Sequence, residues 1–211
     1  MKIKFLGHSC FLIEIGGLKV MTDPYDKSVP YDFPDGEEVD VVTISHDHFD
    51  HSAFNRVKIK REVLKDPTNK EIQGVKFKSK TFFHDEEMGR KRGKNALFLI
   101  EGEGIKILHC GDLGHIPNEK DLEEFKNIDI LLLPVGGYYT IDSKKGDELI
   151  KILNPKIVIP MHYKTKNLDF PIAKVDDFLK NKENVHKLNS LEFELDKSNI
   201  EKYKGIVVFP F

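Results

Sequence analysis

The chain has 211 residues, 39% of them hydrophobic and 32% charged, with a formal net charge of −2. That composition fits one globular domain over residues 1–211 and gives no global basic signature for nucleic acid. No apolar run approaches the roughly 18 residues that a membrane span needs. The basic start is followed by a stretch broken by His8, Ser9 and Glu14, so no signal-peptide core is expected and a cytoplasmic location follows.

In chain order, the opening third reads as short strands and tight turns. "KIKFLG", "CFLIEI" and "LKVMT" predict an antiparallel meander turning at Gly16-Gly17, followed by a Pro-rich loop from Pro24 to Pro34. "VDVVTIS" predicts a buried strand by its apolar continuity. "SAFNRV" predicts a short helix with Asp50 and His51 at its N-terminus. "GVKFKSKTFF" and "ALFLIEGEGIKILHCGD" predict three further strands, two of them joined as a hairpin. Beyond residue 115 helices enter. "PNEKDLEEFKN", "SKKGDELIKILN" and "PIAKVDDFLKNK" predict helices, and "IDILLLPVGG", "KIVIPMH", "LEFEL" and "GIVVFPF" predict strands. Early strands and later alternation suit two packed sheets with helices outside.

Cys10 and Cys110 are the only cysteines and lack CxxC spacing, so buried thiols are expected and the metal-ligating chemistry falls to histidine and carboxylate. The segment from residue 45 to residue 51, "SHDHFDH", holds three histidines and two aspartates directly after a buried strand. His46 and His48 stand two apart and project to one side of an extended loop, where they can grip one cation. Asp50 and His51 can face a second. One segment cannot close two coordination spheres. His84, Asp112 and His162, each at the end of an apolar strand or in the turn after it, are the further ligand candidates.

This pattern, together with "GHSCFLI", "TDP", "HDEEMGRKRGKN", "HCGDLGH" and "PVGGYYTID", resembles the metallo-β-lactamase-fold hydrolases, in the branch that holds the L-ascorbate-6-phosphate lactonases and related metal-dependent hydrolases. The resemblance implies an α/β (α+β) four-layer αβ/βα sandwich. It implies His46, His48 and His84 on one metal, Asp50, His51 and His162 on the other, and Asp112 between them. Two divalent ions are implied, zinc first, with manganese or iron as alternatives. The expected activity is hydrolysis of an ester, lactone or phosphoester of a small anionic substrate by a metal-bridged hydroxide, with Asp50 orienting the nucleophile and passing its proton on. The rivals are a nuclease of the same superfamily, a redox di-iron enzyme and a metal-binding protein without turnover.

Other residues carry two readings each. His8 and His115 either line the pocket or are satisfied buried histidines. Asp23 is either a turn residue or the partner of a ligand histidine, and His109 can point either way. Arg90 and Arg92 in "GRKRGK" are solvated loop charges or anion holders; Tyr138 and Tyr139 shape a substrate pocket or cap the core. Nothing in the sequence speaks to oligomeric state.

Overall fold

A computed structural model describes the whole chain, Met1–Phe211. Its first sheet contains β1 (Lys2–Gly7), β2 (Cys10–Ile15), β3 (Leu18–Thr22), β4 (Glu38–Ile44) and β5 (Lys58–Lys65). The second begins with β6 (Asn69–Ile72), β7 (Val75–Phe83), β8 (Lys94–Gly102), β9 (Ile105–His109), β10 (Ile130–Pro134) and β11 (Ile157–Met161). Three short C-terminal strands complete both: β12 (Val185–Lys187) and β14 (Gly205–Val208) extend the second, and β13 (Glu192–Glu194) pairs with β1 in the first. The orders are β13-β1-β2-β3-β4-β5 and β12-β14-β11-β10-β9-β8-β7-β6.

β1, β2 and β3 form the expected antiparallel meander, whereas β4 joins β3 in parallel. The "ILLLP" and "IVIPM" strands are buried throughout because they lie inside the parallel part of the second sheet, covered on both faces. One continuous apolar core takes Ile3, Phe11 and Ile13 from the first sheet and Phe77, Phe98 and Ile107 from the second, so the sheets pack face to face. Burying each such side chain stabilises the fold by about 1.5–3 kcal/mol. A smaller cluster on the first sheet's other face places Tyr25 and Val29, from the Pro-rich loop, over Leu12, Met21 and Val42.

Helix α1 spans Glu119–Leu122, α2 spans Ser143–Leu153 and α3 spans Val175–Leu179. In α2, Asp142 caps the start by accepting the Lys145 N–H, and Asn154 ends the helix at φ 48° just before Pro155. Its buried residues, Gly146, Leu149 and Leu153, form one stripe. The other two predicted helices are shorter than expected: Leu122 and Phe125 are buried, but α1 gives way to a 3-10 turn at Glu123–Phe125.

One expectation fails. The segment after His51 holds only a 3-10 turn, Phe54–Arg56, with no side-chain cap. Asp50 and His51 therefore owe their placement to a turn, not to a helix N-terminus, and the His51 N–H bonds the His48 carbonyl at 3.0 Å. Strands β5, β6 and β12 were not expected from the sequence.

Strand direction is what assembles the functional residues. β1 and β3 are each antiparallel to β2 and thus run the same way, with β4 parallel to β3. By the same alternation, β7, β9, β10 and β11 share one direction in the second sheet. The C-terminal ends of these seven strands meet where the sheets are joined: the His162 N–H donates to the His8 carbonyl at 2.8 Å, and the Ala96 N–H to the Ser45 carbonyl at 2.9 Å.

Candidate metal centre

Six of these strand ends, all but that of β10, deliver polar side chains. His8 follows β1, Asp23 follows β3, the 45–51 turn follows β4, His84 follows β7, Asp112 closes the turn after β9 and His162 follows β11. His8, Asp23, His51, His84, Asp112 and His162 are almost wholly buried, whereas His48 is exposed and marks the solvent side. Three of these residues, His8 (φ 55°), Asp23 (φ 40°) and His162 (φ 51°), hold left-handed backbone conformations that few non-glycine residues adopt. Such strain persists where surrounding structure enforces it, as at functional sites.

Asp112 is the hub. Its Oδ2 lies 3.2 Å from His84 Nε2, 3.3 Å from His162 Nε2 and 3.9 Å from His46 Nε2, and its Oδ1 lies 3.2 Å from His51 Nε2. Around it the ligand atoms gather as His46, His48 and His84 and as His8, Asp50, His51 and His162, with a third set, Asp23, His46 and His51, behind them. The first two bring together the residues expected on each metal, with His8 added to the second. His8 Nε2 lies 3.0 Å from Asp50 Oδ2, and its ring packs 4.2 Å from that of His162.

The proton arrangement follows from hydrogen-bond accounting. Asp23 accepts the Ser45 N–H at 2.8 Å and the Ser45 hydroxyl, and His51 Nδ1 approaches its Oδ2 at 2.8 Å. A carboxylate only accepts, so His51 carries its proton on Nδ1. The Ser45 hydroxyl has spent its one proton on Asp23, so His46 Nδ1, 2.9 Å away, must donate to it. His46 thus turns an unprotonated Nε2 inward, and His51 turns inward an Nε2 whose proton a cation would displace. These two atoms and Asp112 Oδ1 are buried without hydrogen-bond partners. Orphaned ligand atoms converging on one point are what a cation would satisfy, so the residues fit a metal centre.

The electrostatics agree. Burial favours the neutral form of His51, but the carboxylates of Asp112 and Asp50 outweigh it and hold the His51 pKa well above its usual value. Burial likewise opposes ionisation of Asp112 and Asp50, yet the surrounding histidines keep both carboxyls below the usual carboxylate range. Burial and the charge of His51 push His46 well down, and burial with the His162 charge lowers His8 to about 4. Three buried carboxylates hold a proton on His51 here, and would attract a divalent cation more strongly.

Several supporting residues escaped sequence reasoning. Asn95, a polar residue opening an apolar strand, donates to the Cys110 carbonyl at 2.9 Å and accepts the Asp112 N–H at 2.7 Å, fixing the hub from behind. Gly111 holds φ 52°, and a Cβ there would stand 2.3 Å from Asn95 Oδ1, so only glycine fits the turn. Asp85, beside His84, spends its carboxylate on backbone N–H groups of its own loop. His109 lies next to the centre without joining it; Nε2 bonds the Ser9 carbonyl at 2.8 Å and Nδ1 accepts the Gly111 N–H at 3.2 Å. His115 packs on Phe82 and Phe83, its Nε2 accepting the Phe83 N–H at 3.3 Å, and lines a different hollow. Arg92, Tyr138 and Tyr139 come together at the mouth, whereas Arg90 stays on the exposed loop.

Two mixed sheets whose strand ends meet around a shared His/Asp cluster define the metallo-β-lactamase class of fold. The chain belongs to this superfamily: the family described as Beta-lactamase superfamily domain matches residues 2–162. A Thermotoga maritima protein of the metallo-β-lactamase superfamily, described as a candidate Zn-dependent hydrolase, is 41% identical, with a TM-score of 0.82 over 99% of this chain and 97% of its own. A UPF0173 metal-dependent hydrolase from Thermoplasma acidophilum is 30% identical over 193 residues, 80% of this chain and 85% of the relative. Another from Nanoarchaeum equitans is 32% identical over 207 residues, 84% of this chain and 89% of the relative. The relatives are thus metal-dependent hydrolases, and no helix here is long and apolar enough to cross a membrane.

Proposed function

We propose that the protein is a binuclear metal-dependent hydrolase acting, as one domain in the cytoplasm, on an ester, lactone or phosphoester of a small anionic molecule. The observation that carries this reading is the convergence of four imidazole Nε2 atoms within 4 Å of the Asp112 carboxylate. His46, His48 and His84 would hold one cation and Asp50, His51 and His162 the other, with Asp112 serving both. The nitrogen-only first set suits zinc, with manganese and iron as alternatives. Divalent ions held there would lower the pKa of water from about 15.7 to near 7 and polarise a carbonyl or phosphoryl oxygen.

The chain's own groups supply the rest. Asp50, kept ionised by His51 and His8, is the proton acceptor for the nucleophile and returns that proton to the leaving group. Asp23 locks the tautomer of His51 directly and that of His46 through Ser45. His48, on the exposed side, leaves the first group open to an entering substrate. Elemental analysis of protein purified without chelator and then supplemented with zinc, manganese or iron tests the reading. About two ions per chain, falling on Asp112→Asn, together with turnover of lactones or phosphoesters, would support it; no more than a trace of metal under every supplementation would overturn it.

A further inference from the structure

The loop from Asp85 to Gly93 is built around one carboxylate. Asp85 Oδ1 accepts the N–H groups of Glu87 and Gly89 at 2.8 and 2.9 Å, and Oδ2 those of Lys91 and Arg92 at 3.0 and 2.8 Å. The His84 N–H bonds the Gly93 carbonyl at 3.0 Å, which ties the loop's far end to the strand end carrying a ligand candidate. Four bonds to one ionised side chain give this loop a fixed shape. What it presents is Arg92.

Three observations single out Arg92, since Arg90, the loop's other unpaired cation, is exposed and lines neither cavity. Lys91 pairs with Glu87, and Lys145 across the mouth pairs with Glu86. The Arg92 guanidinium, half-buried, makes no ion pair and no side-chain hydrogen bond within the chain. Instead its Cζ lies 5.4 Å from the ring centroid of Tyr139 and 6.0 Å from that of Tyr138, so two aromatic faces hold the fork while its donors stay free. Tyr138 keeps φ 58° and is 65% exposed, an unfavourable state for an aromatic residue unless it has something to contact. Finally, Arg92 belongs to two cavities at once. One is a cleft of about 670 Å³ that also contains His46 and His48, and the other is a hollow of about 270 Å³ walled by Tyr138, Tyr139 and Thr140. The carboxylates of that hollow are already engaged, Glu86 and Glu87 by lysines and Asp85 and Asp142 by backbone N–H groups.

We infer that Arg92, backed by Tyr138 and Tyr139, is the subsite for an oxyanion of the substrate, a carboxylate or phosphoryl group, at the junction between the cleft of His46 and His48 and the tyrosine-walled hollow. The inference rests on the hydrolase reading for the identity of the ligand as substrate. A guanidinium fork offers two parallel donors matched to two oxygens of one anion, and desolvation by the flanking rings strengthens that pairing. The substrate then carries its negative charge to one side of the scissile bond: the charge sits on Arg92 while the bond lies towards the His/Asp cluster.

The test reads binding separately from turnover. The chain contains four arginines, Arg56, Arg61, Arg90 and Arg92, so the Nε–Hε region of a nitrogen-15 spectrum of zinc-supplemented protein holds four signals to assign by substitution. Inorganic phosphate and succinate are titrated separately. The expected result is a saturable shift of the Arg92 signal with at least one of them, and calorimetric affinity for that anion at least tenfold weaker in Arg92→Met and partly restored in Arg92→Lys. Arg90→Met should bind as the unsubstituted protein does. The loop should survive these changes, because Asp85 bonds the backbone of Arg92 and not its side chain. The anion that acts at lower concentration identifies the group as phosphoryl or carboxylate. An unmoved Arg92 signal at calorimetric saturation, equal affinity in Arg92→Met, or binding of neither anion would overturn the inference. Failure to cleave any ester while Arg92 still binds the anion would count against the hydrolase reading alone.

Discussion

Replacing Asp23 by Asn isolates the effect of charge and tautomer on the metal centre without touching a proposed ligand. Asn tolerates the left-handed backbone that Asp23 adopts at φ 40°, so the change adds no backbone strain. The amide keeps one acceptor oxygen for three donors: the Ser45 N–H, the Ser45 hydroxyl and His51 Nδ1. If the oxygen stays on the Ser45 N–H, the amide NH2 faces His51 Nδ1, and the imidazole must move its proton to Nε2, the atom 3.2 Å from Asp112. A protonated Nε2 cannot bind a cation. Loss of such a supporting partner weakens metal affinity by roughly 10–100-fold, or about 1.4–2.7 kcal/mol. The hydroxyl of Ser45 is freed as well, so the proton on His46 Nδ1 is no longer fixed and the loss extends to the first group. Ser45→Ala should weaken only the ion held by His46. Competition against a chromophoric chelator, followed for both ions, measures these losses. The reasoning fails if Asp23→Asn, folded by circular dichroism, binds both ions within twofold of the unsubstituted protein.

Three other perturbations probe separate links of the argument. Asp50→Asn should keep most of its metal but lose roughly 10²–10⁴-fold in turnover of an activated ester or lactone, the usual worth of a positioned proton-transfer group, and unchanged turnover with both ions bound would remove Asp50 from the mechanism. Gly114→Ala places a Cβ 2.2 Å from the His84 carbonyl carbon and 2.3 Å from its oxygen, so the backbone bearing His84 must shift. Thermal melting should show a loss of about 1–3 kcal/mol, accompanied by weaker binding of the ion at His84; unchanged affinity would sink the packing argument. In metal-free protein, burial lowers His8 to about 4 from an ordinary 6.5. Between those values the unfolded chain binds the extra proton, so this contribution is fully present above pH 6.5 and is lost as pH falls towards 4. It amounts to roughly 3 kcal/mol. Melting of the metal-free protein from pH 7 to pH 4.5 should show that decline, shallower in His8→Gln; equal slopes would refute it.

The sheets were legible where residues report their own surroundings. "ILLLP" and "IVIPM" are apolar because they are covered on both faces, and α2 announces itself through its Asp142 cap, its single buried stripe and Asn154 before Pro155. β5 was missed because an edge strand reading "KIKREVLK" is mostly exposed and charged, which protects an edge but erases the alternation that identifies a strand. The helix expected after His51 shrank to a 3-10 turn that buries none of its three residues, so nothing rewards its extension. At the site, the candidate ligands could be named because they crowd strand ends in a recognisable order. His8 joining Asp50 and Asn95 holding Asp112 could not be read off, and for Asp23 the bond to a ligand histidine was only one of two readings, since each pair is far apart in the chain and meets only when the strands of its sheet align.

The seam between the sheets gives the metals a second consequence. At their meeting edge the sheets are tied by the His162 to His8 and Ala96 to Ser45 backbone bonds. The ligand candidates lie on both sides of that seam, with His46 and His51 from the first sheet facing His84 and His162 from the second across Asp112. Ions held there would act as rivets between two halves of the molecule. A cross-link that closes a loop of about 100 residues removes about 4.7 kcal/mol of denatured-state freedom, so chelation should loosen the whole sandwich and not only silence one corner of it.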